Sequence, residues 1–262
     1  MLKNVFLKTL FEKRWMTFWW VLVTFLLVLA VTTMFPLFKD SLGDFTNAPE
    51  ELKGIVGDAS SYSTITGWLN FQVLDQMVFA GIILGIIIGG AVLAGEENEG
   101  TLQSLLALPV KRAQVYWQKF AAVAAIVTAV TLTLFAGSWI GVALIGESVD
   151  IWRLFLGTLM AVLLSVFFTA ITYTIGAITG RRGVAGTIVG LYAFAGFMVA
   201  SLAAGINALK YVDYLSPFHY YNKPSPLTGE FQFVDALVLL AASLILLAIG
   251  HRIFTKRDIY QR

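Results

Sequence analysis

The sequence predicts an all-α integral membrane protein with six transmembrane helices. It also predicts that both termini are cytoplasmic and that a short cytoplasmic helix follows the second span. Three observations carry this reading. Of 262 residues, 58% are hydrophobic and only 13% charged, with a mean hydropathy of +0.79. A soluble domain carries about 25% charged residues, so a soluble enzyme, a nucleic-acid binder and a disordered chain are all excluded. The apolar residues fall into six runs long enough to cross a hydrocarbon core of about 30 Å, which needs roughly 20 helical residues. The basic residues gather on one side of those runs.

The six spans are read at residues 15–37, 76–95, 120–146, 154–179, 184–209 and 234–254, all within one transmembrane domain covering 1–262. Lys3, Lys8, Lys13 and Arg14 precede the first span. That span is longer than the 7–15 apolar residues of a signal peptide, and Phe35-Pro36-Leu37-Phe38-Lys39 offers no small-x-small cleavage site. It is expected to be a retained anchor. Between Leu154 and Leu209 the only charges are Arg181 and Arg182, inside Gly180-Arg-Arg-Gly183. Two arginines at mid-membrane cost several kcal/mol on insertion scales, so a tight hairpin with its tip in water separates the fourth span from the fifth.

Orientation follows the lysines and arginines. The N-terminus, the 96–119 loop, the Arg181/Arg182 tip and the C-terminus carry thirteen basic and five acidic residues. The other side carries five basic and eleven acidic ones, many of them between Lys39 and Asp75. The first side is therefore cytoplasmic.

The membrane interior is short of chemistry. Its polar groups are mild: Thr24, Thr128, Thr131, Thr133, Ser165, Thr169, Thr172, Tyr173, Thr174, Thr187 and Ser201. An ion-driven carrier normally needs a buried carboxylate or histidine relay, or broken helices around an ion. The only histidines, His219 and His251, have no partner at metal-ligand spacing and are expected to be solvated or interfacial. With no cysteine in the chain there is no thiol nucleophile and no disulfide. No catalytic constellation and no metal site is read.

Gly81, Gly85 and Gly89 recur every fourth residue in the second span, and similar pairs occur at Gly137/Gly141, Gly176/Gly180 and Gly186/Gly190. Small residues at this spacing let a second helix approach closely. The neighbour is either another helix of the same bundle or a second protomer, and the face could also line a pathway.

The loop after the second span is the most informative stretch. Leu102, Leu105 and Leu106 fall at i, i+3 and i+4 on a short helix over 101–108. Glu96, Glu97 and Glu99 precede it, where the helix dipole favours negative charge, and Pro109 stops it. Such a helix lies on lipid or docks into a partner's groove.

The pattern E-x-x-x-G-T-L-x-x-L-L-x-x-P-V-x-R at Glu96 to Arg112 resembles the signature loop of type-2 ABC exporter permeases. Leu215-Ser-Pro-Phe-His-Tyr-Tyr221 with Pro226-Leu227 is similar to that family's segment before the last span, and Phe254-Thr-Lys-Arg-Asp-Ile259 to its ending. The resemblance implies a permease dimer in the plasma or inner membrane of a prokaryote, bound to two copies of a cytoplasmic ABC ATP-binding subunit. It implies a coupling helix that meets that subunit through Glu96, Glu99, Gly100, Thr101, Leu102, Leu105, Leu106, Pro109 and Arg112. It also implies a surface helix at 1–14 and a re-entrant segment within 210–233.

No G-x-x-x-x-G-K-[ST] occurs, so this chain holds no P-loop. No cofactor is expected here; ATP and Mg belong in the partner subunit. The expected function is the permease subunit of an ATP-driven exporter of a hydrophobic or amphipathic substrate. The alternatives are a non-transporting membrane scaffold or immunity/assembly factor of the same family, and a passive channel.

Overall fold

Long runs of apolar helix-forming residues fold as six helices of membrane-crossing length and hydropathy. The computed structural model describes residues 4–43, 63–102, 110–203, 206, 209–222, 225, 227–229 and 231–257. No strand occurs among the described residues.

Helix α1 (Val5–Thr33) starts at Asn4, whose side chain accepts from the Phe6 amide at 3.0 Å. No glycine or proline interrupts the chain from there to Phe35, so the helix runs unbroken through Arg14 and Trp15. The expected division into a surface helix at 1–14 and a span from 15 is replaced by one continuous helix. A short helix, α2 (Phe35–Gly43), follows, with Pro36 in its first turn where no amide partner is lost.

Helix α3 (Ile65–Asn98) begins eleven residues before the expected 76, capped by Thr64, whose hydroxyl accepts from the Gly67 amide at 3.2 Å. Its polar outer part (Asn70, Gln72, Asp75, Gln76) breaks the hydropathy signal, and Leu69–Met77 there winds as π-helix within the continuous element. Helix α4 (Arg112–Ile145) likewise starts eight residues before the expected 120. It ends at Gly146, which takes a left-handed φ of 73°.

Asp150 caps α5 (Ile151–Thr179), accepting from the Trp152 and Arg153 amides at 2.9 and 3.2 Å. Gly180, at φ 66°, closes α5, and the exposed Arg181 leads directly into α6 (Arg182–Leu202). Two short helices, α7 (Lys210–Asp213) and α8 (His219–Asn222), precede α9 (Phe233–Lys256).

The Val5 amide donates to Gln118 at 3.0 Å, and Arg257 pairs with Glu97. Both described ends therefore lie on the face that carries the 96–112 loop. Helices α3, α4 and α5 form the centre, and α1, α6 and α9 are peripheral. The most apolar window of α5 is 67% buried, against 17% for α1.

Gly81, Gly85 and Gly89 face α5 of the same chain. A β-carbon on Gly85 would lie 3.3 Å from the Ser165 carbonyl oxygen, and one on Gly89 would lie 3.1 Å from that of Thr169. Gly137 and Gly141 make a similar seam between α4 and α1, against Val28 and Thr32. Threonines lining these seams satisfy their hydroxyls within their own helices, as Thr169 does on Ser165 (2.7 Å) and Thr32 on Val28 (2.8 Å). Thr32 thereby presents its β-carbon and methyl to Gly141, whereas at Gly85 the Thr169 hydroxyl oxygen itself faces the glycine.

The 209–222 segment folds back between helices. Phe218 is 5% exposed and packs on Phe79, Phe197 and Phe168 at ring-centroid distances of 5.6, 5.6 and 5.7 Å. Ser216 donates to the Gly196 carbonyl and Tyr192 to the Leu215 carbonyl, both at 2.8 Å. Tyr221 donates to the Leu74 carbonyl at 2.8 Å. At 1.5 Å per residue, Phe168, Tyr192 and Gly196 lie about 15–21 Å from the termini-bearing ends of their helices. Residues 215–218 therefore sit about 10 Å deeper than the far end of α6.

Candidate functional site: the charged root of the loop

Two adjacent glutamates end α3, and each finds a different cation. Glu96 pairs with Lys119 of α4, which is only 2% exposed and also donates to the Val92 carbonyl at 3.0 Å. Glu97 pairs with Arg257 at the end of α9. The Arg257 guanidinium also donates to the Ile178 carbonyl of α5 at 2.9 Å, and its own carbonyl accepts from Arg112 at 2.8 Å. Gly180 leaves space for this pair, since a β-carbon there would stand 2.8 Å from a Glu97 carboxylate oxygen. One charged hub thus joins the ends of α3, α4, α5 and α9.

Behind the hub lies an aromatic layer. Tyr116 donates to the Leu247 carbonyl at 3.1 Å and Tyr173 to the Tyr116 carbonyl at 2.6 Å. His251 stacks near Tyr116 and Trp117, at centroid distances of 5.6 and 5.8 Å. It belongs to this layer and is partly exposed near the end of α9.

The structure divides the residues expected at the ATPase-subunit contact. Glu96 is engaged with Lys119, Arg112 is engaged with Arg257, and Leu102 is 0% exposed in one cluster with Val5, Val92, Val115 and Tyr116. These three turn into the chain's own fold. Their side chains are held by neighbouring helices of this chain. Glu99 and Thr101 are exposed and Gly100, at φ 73°, turns the chain between them. Leu105, Leu106 and Pro109 lie outside the described residues.

Lys119 and Arg257 are the residues that sequence reasoning missed. Lys119 reads as an ordinary loop cation just before an apolar run, and nothing local marks its burial. Arg257 stands in the F-x-x-R-D ending, but its partners come from α3 and α5. His219 is partly exposed, with its Nδ1 2.7 Å from Asp213 Oδ2 and its ring against those of Tyr214 and Tyr220. Among the described residues, no three His, Cys, Asp or Glu side chains gather as they would around a metal ion.

The hub is partly buried, so breaking it has a moderate cost. Arg257→Ala strands the Glu97 carboxylate and the Ile178 carbonyl, and is expected to destabilise the chain by about 2 kcal/mol. Adding Glu97→Gln should recover part of that loss. A double-mutant cycle on detergent melting should give a coupling of about 1 kcal/mol or more.

Six apolar helices, cross-braced by charged side chains on the termini-bearing face, define a multi-pass membrane protein. The chain belongs to the ABC-2 transporter family: residues 7–259, spanning all six helices, match the family described as ABC-2 family transporter protein. No curated protein matches the chain.

Proposed function

We propose that this chain is the permease subunit of an ATP-driven exporter in a prokaryotic plasma or inner membrane, with the termini-bearing face in the cytoplasm. Two copies of a separate ATP-binding subunit, carrying ATP and Mg, dock at the 96–112 loop. The observation that carries this reading is the hub. A loop that merely connected two spans would need no ties to α4, α5 and α9, whereas one that receives a push transmits it through those ties.

A second protomer completes the pathway. Residues 214–218 have turn backbone at the depth of mid-helix, and Tyr214 and Leu215 are 60% and 75% exposed on this chain. Irregular backbone at hydrocarbon depth occurs only where protein buries it or where it lines a water-filled cavity. On this reading the segment is re-entrant, and its face together with α6 meets the second copy and the cargo route. The cargo is hydrophobic or amphipathic, in keeping with spans rich in Phe, Leu and Val whose main polar groups are Thr and Tyr.

The test uses the exposed part of the loop. Glu99→Arg with Thr101→Arg is expected to lower capture of a P-loop ATPase from native membranes by about tenfold, roughly 1.4 kcal/mol, without moving the melting curve. Undiminished capture and transport would overturn the docking assignment.

A further inference from the structure

The last turn of α3 before the hub, Ala91–Gly95, is π-helical. A π turn is equivalent to one residue inserted into an α-helix, and such turns cluster at functional positions. It disturbs the backbone ladder, so a carbonyl there benefits from a partner outside its own helix. Lys119 supplies one. Its single ammonium donates to the carbonyl of Val92, inside the π turn, and pairs with Glu96, the first residue beyond it. The two contacts bracket the register fault from both ends.

Val92 and Leu93 of the turn are packed in the apolar cluster, but the other positions around it carry little side chain to re-seat. Gly90, Ala91, Ala94 and Gly95 are all small. A β-carbon on Gly95 would meet nothing closer than 3.6 Å, and Ala94 faces Gly176 across the α5 seam. Rewinding the turn to α-helix would shift everything beyond it by one residue, about 100° of rotation and about 1.5 Å of rise. That rotation would take Glu97 away from Arg257 and Leu102 out of its apolar cluster. The orientation of the loop is thus set by whether this one turn stays π-helical.

We propose that Lys119 is the positioning residue of the cytoplasmic loop, holding the Ala91–Gly95 turn in its π register so that the loop is presented in one orientation. This deepens the docking reading above and rests on it for its purpose, since the register is what a docked subunit would push against. The register itself is a property of this chain alone.

The chain contains no cysteine, so spin labels at Glu99→Cys and Arg252→Cys, both exposed positions, report the loop against α9. Pulsed EPR is run in lipid nanodiscs without any ATPase, with labelled protein diluted in unlabelled protein to suppress distances between protomers. With Lys119 in place, one narrow distribution is expected. Lys119→Met should displace its maximum by up to about 4 Å, as a position on a helix of radius about 2.3 Å turns through about 100° and rises about 1.5 Å. Lys119→Arg, which keeps charge and donors, should restore the original position. An unmoved distribution in folded Lys119→Met would overturn the proposal. Equal displacement in the Met and Arg variants would also overturn it, by assigning the effect to packing.

If Lys119→Met does not fold, Glu96→Gln takes its place, with a displaced or second distribution expected and an unchanged one overturning the proposal. Failure of the docking reading is seen separately, as wild-type protein that captures no ATP-binding subunit while the EPR result stands.

Discussion

Gly85→Leu is expected to cost about 3 kcal/mol and to leave little monodisperse protein in detergent. Even a β-carbon at this position would collide with the Thr169 side chain and stand 3.3 Å from the Ser165 carbonyl oxygen. The carbonyl belongs to helix backbone and cannot move without carrying α5 with it. Overpacking a tight seam costs about 1–3 kcal/mol, and a leucine here belongs at the top of that range. Gly85→Ala should fall near the bottom, with Thr169 giving way. The comparison that isolates the seam is Gly190→Leu on α6. It has the same glycine spacing in sequence, but nothing lies within 4 Å of its added β-carbon. That variant should melt within about 0.5 kcal/mol of wild type. Equal melting of Gly85→Leu and Gly190→Leu would show that α3 does not pack on α5 through its glycines.

These two glycines also show what was legible in the sequence. Helix number was readable because the bilayer sets a length and charge avoids it. The α5–α6 turn was readable because two arginines flanked by glycines have few places to go. The neighbours of each helix face were not readable: Gly81-x-x-x-Gly85 and Gly186-x-x-x-Gly190 look alike until the packing is known. Helix ends failed for a related reason. The outer part of α3 contains Asn70 and Asp75, which a hydropathy window rejects. Its polar atoms are accommodated by distant chain, with Ser225 hydrogen-bonded to Asn70.

The hub was half legible. The E-x-x-x-G-T-L pattern points to the loop at whose root the hub lies, and the glutamates before a helix start read as a dipole effect. In the structure those carboxylates are committed to Lys119 and Arg257, from 23 and 160 residues away along the chain. Periodicity puts Leu102 on an apolar stripe, but periodicity gives the stripe and not its partner. An apolar stripe at a membrane surface can face lipid, another subunit or its own bundle, and Leu102 faces its own bundle. The Asp213–His219 pair escaped notice because the turn that brings them together, at 214–218, has no periodic pattern to read.

Phe218→Ala is expected to destabilise the chain by about 3 kcal/mol, and the loss should concentrate on the 209–222 segment. Phe218 is the common member of an aromatic cluster that joins α3 through Phe79, α5 through Phe168 and α6 through Phe197. Large-to-small changes of a buried phenylalanine cost about 3–5 kcal/mol. The lower end applies here, because lipid tails are as apolar as the vacated site and only packing is lost. For a chain of this size that corresponds to a fall of roughly 6–12 °C in melting midpoint, readable from the seven tryptophans. The remaining ties of the segment are hydrogen bonds from Ser216, Tyr192 and Tyr221, each with a net value of about 1 kcal/mol. Tyr221→Phe should therefore cost about a third as much as Phe218→Ala. Hydrogen exchange at 209–222 should rise more in Phe218→Ala than at the hub, because the two touch α5 at Phe168 and Ile178, about 15 Å apart along the helix, and share no side chain. Equal exchange gains at the segment and the hub would mean that the bundle loosens as one unit, and that Phe218 does not anchor the segment locally.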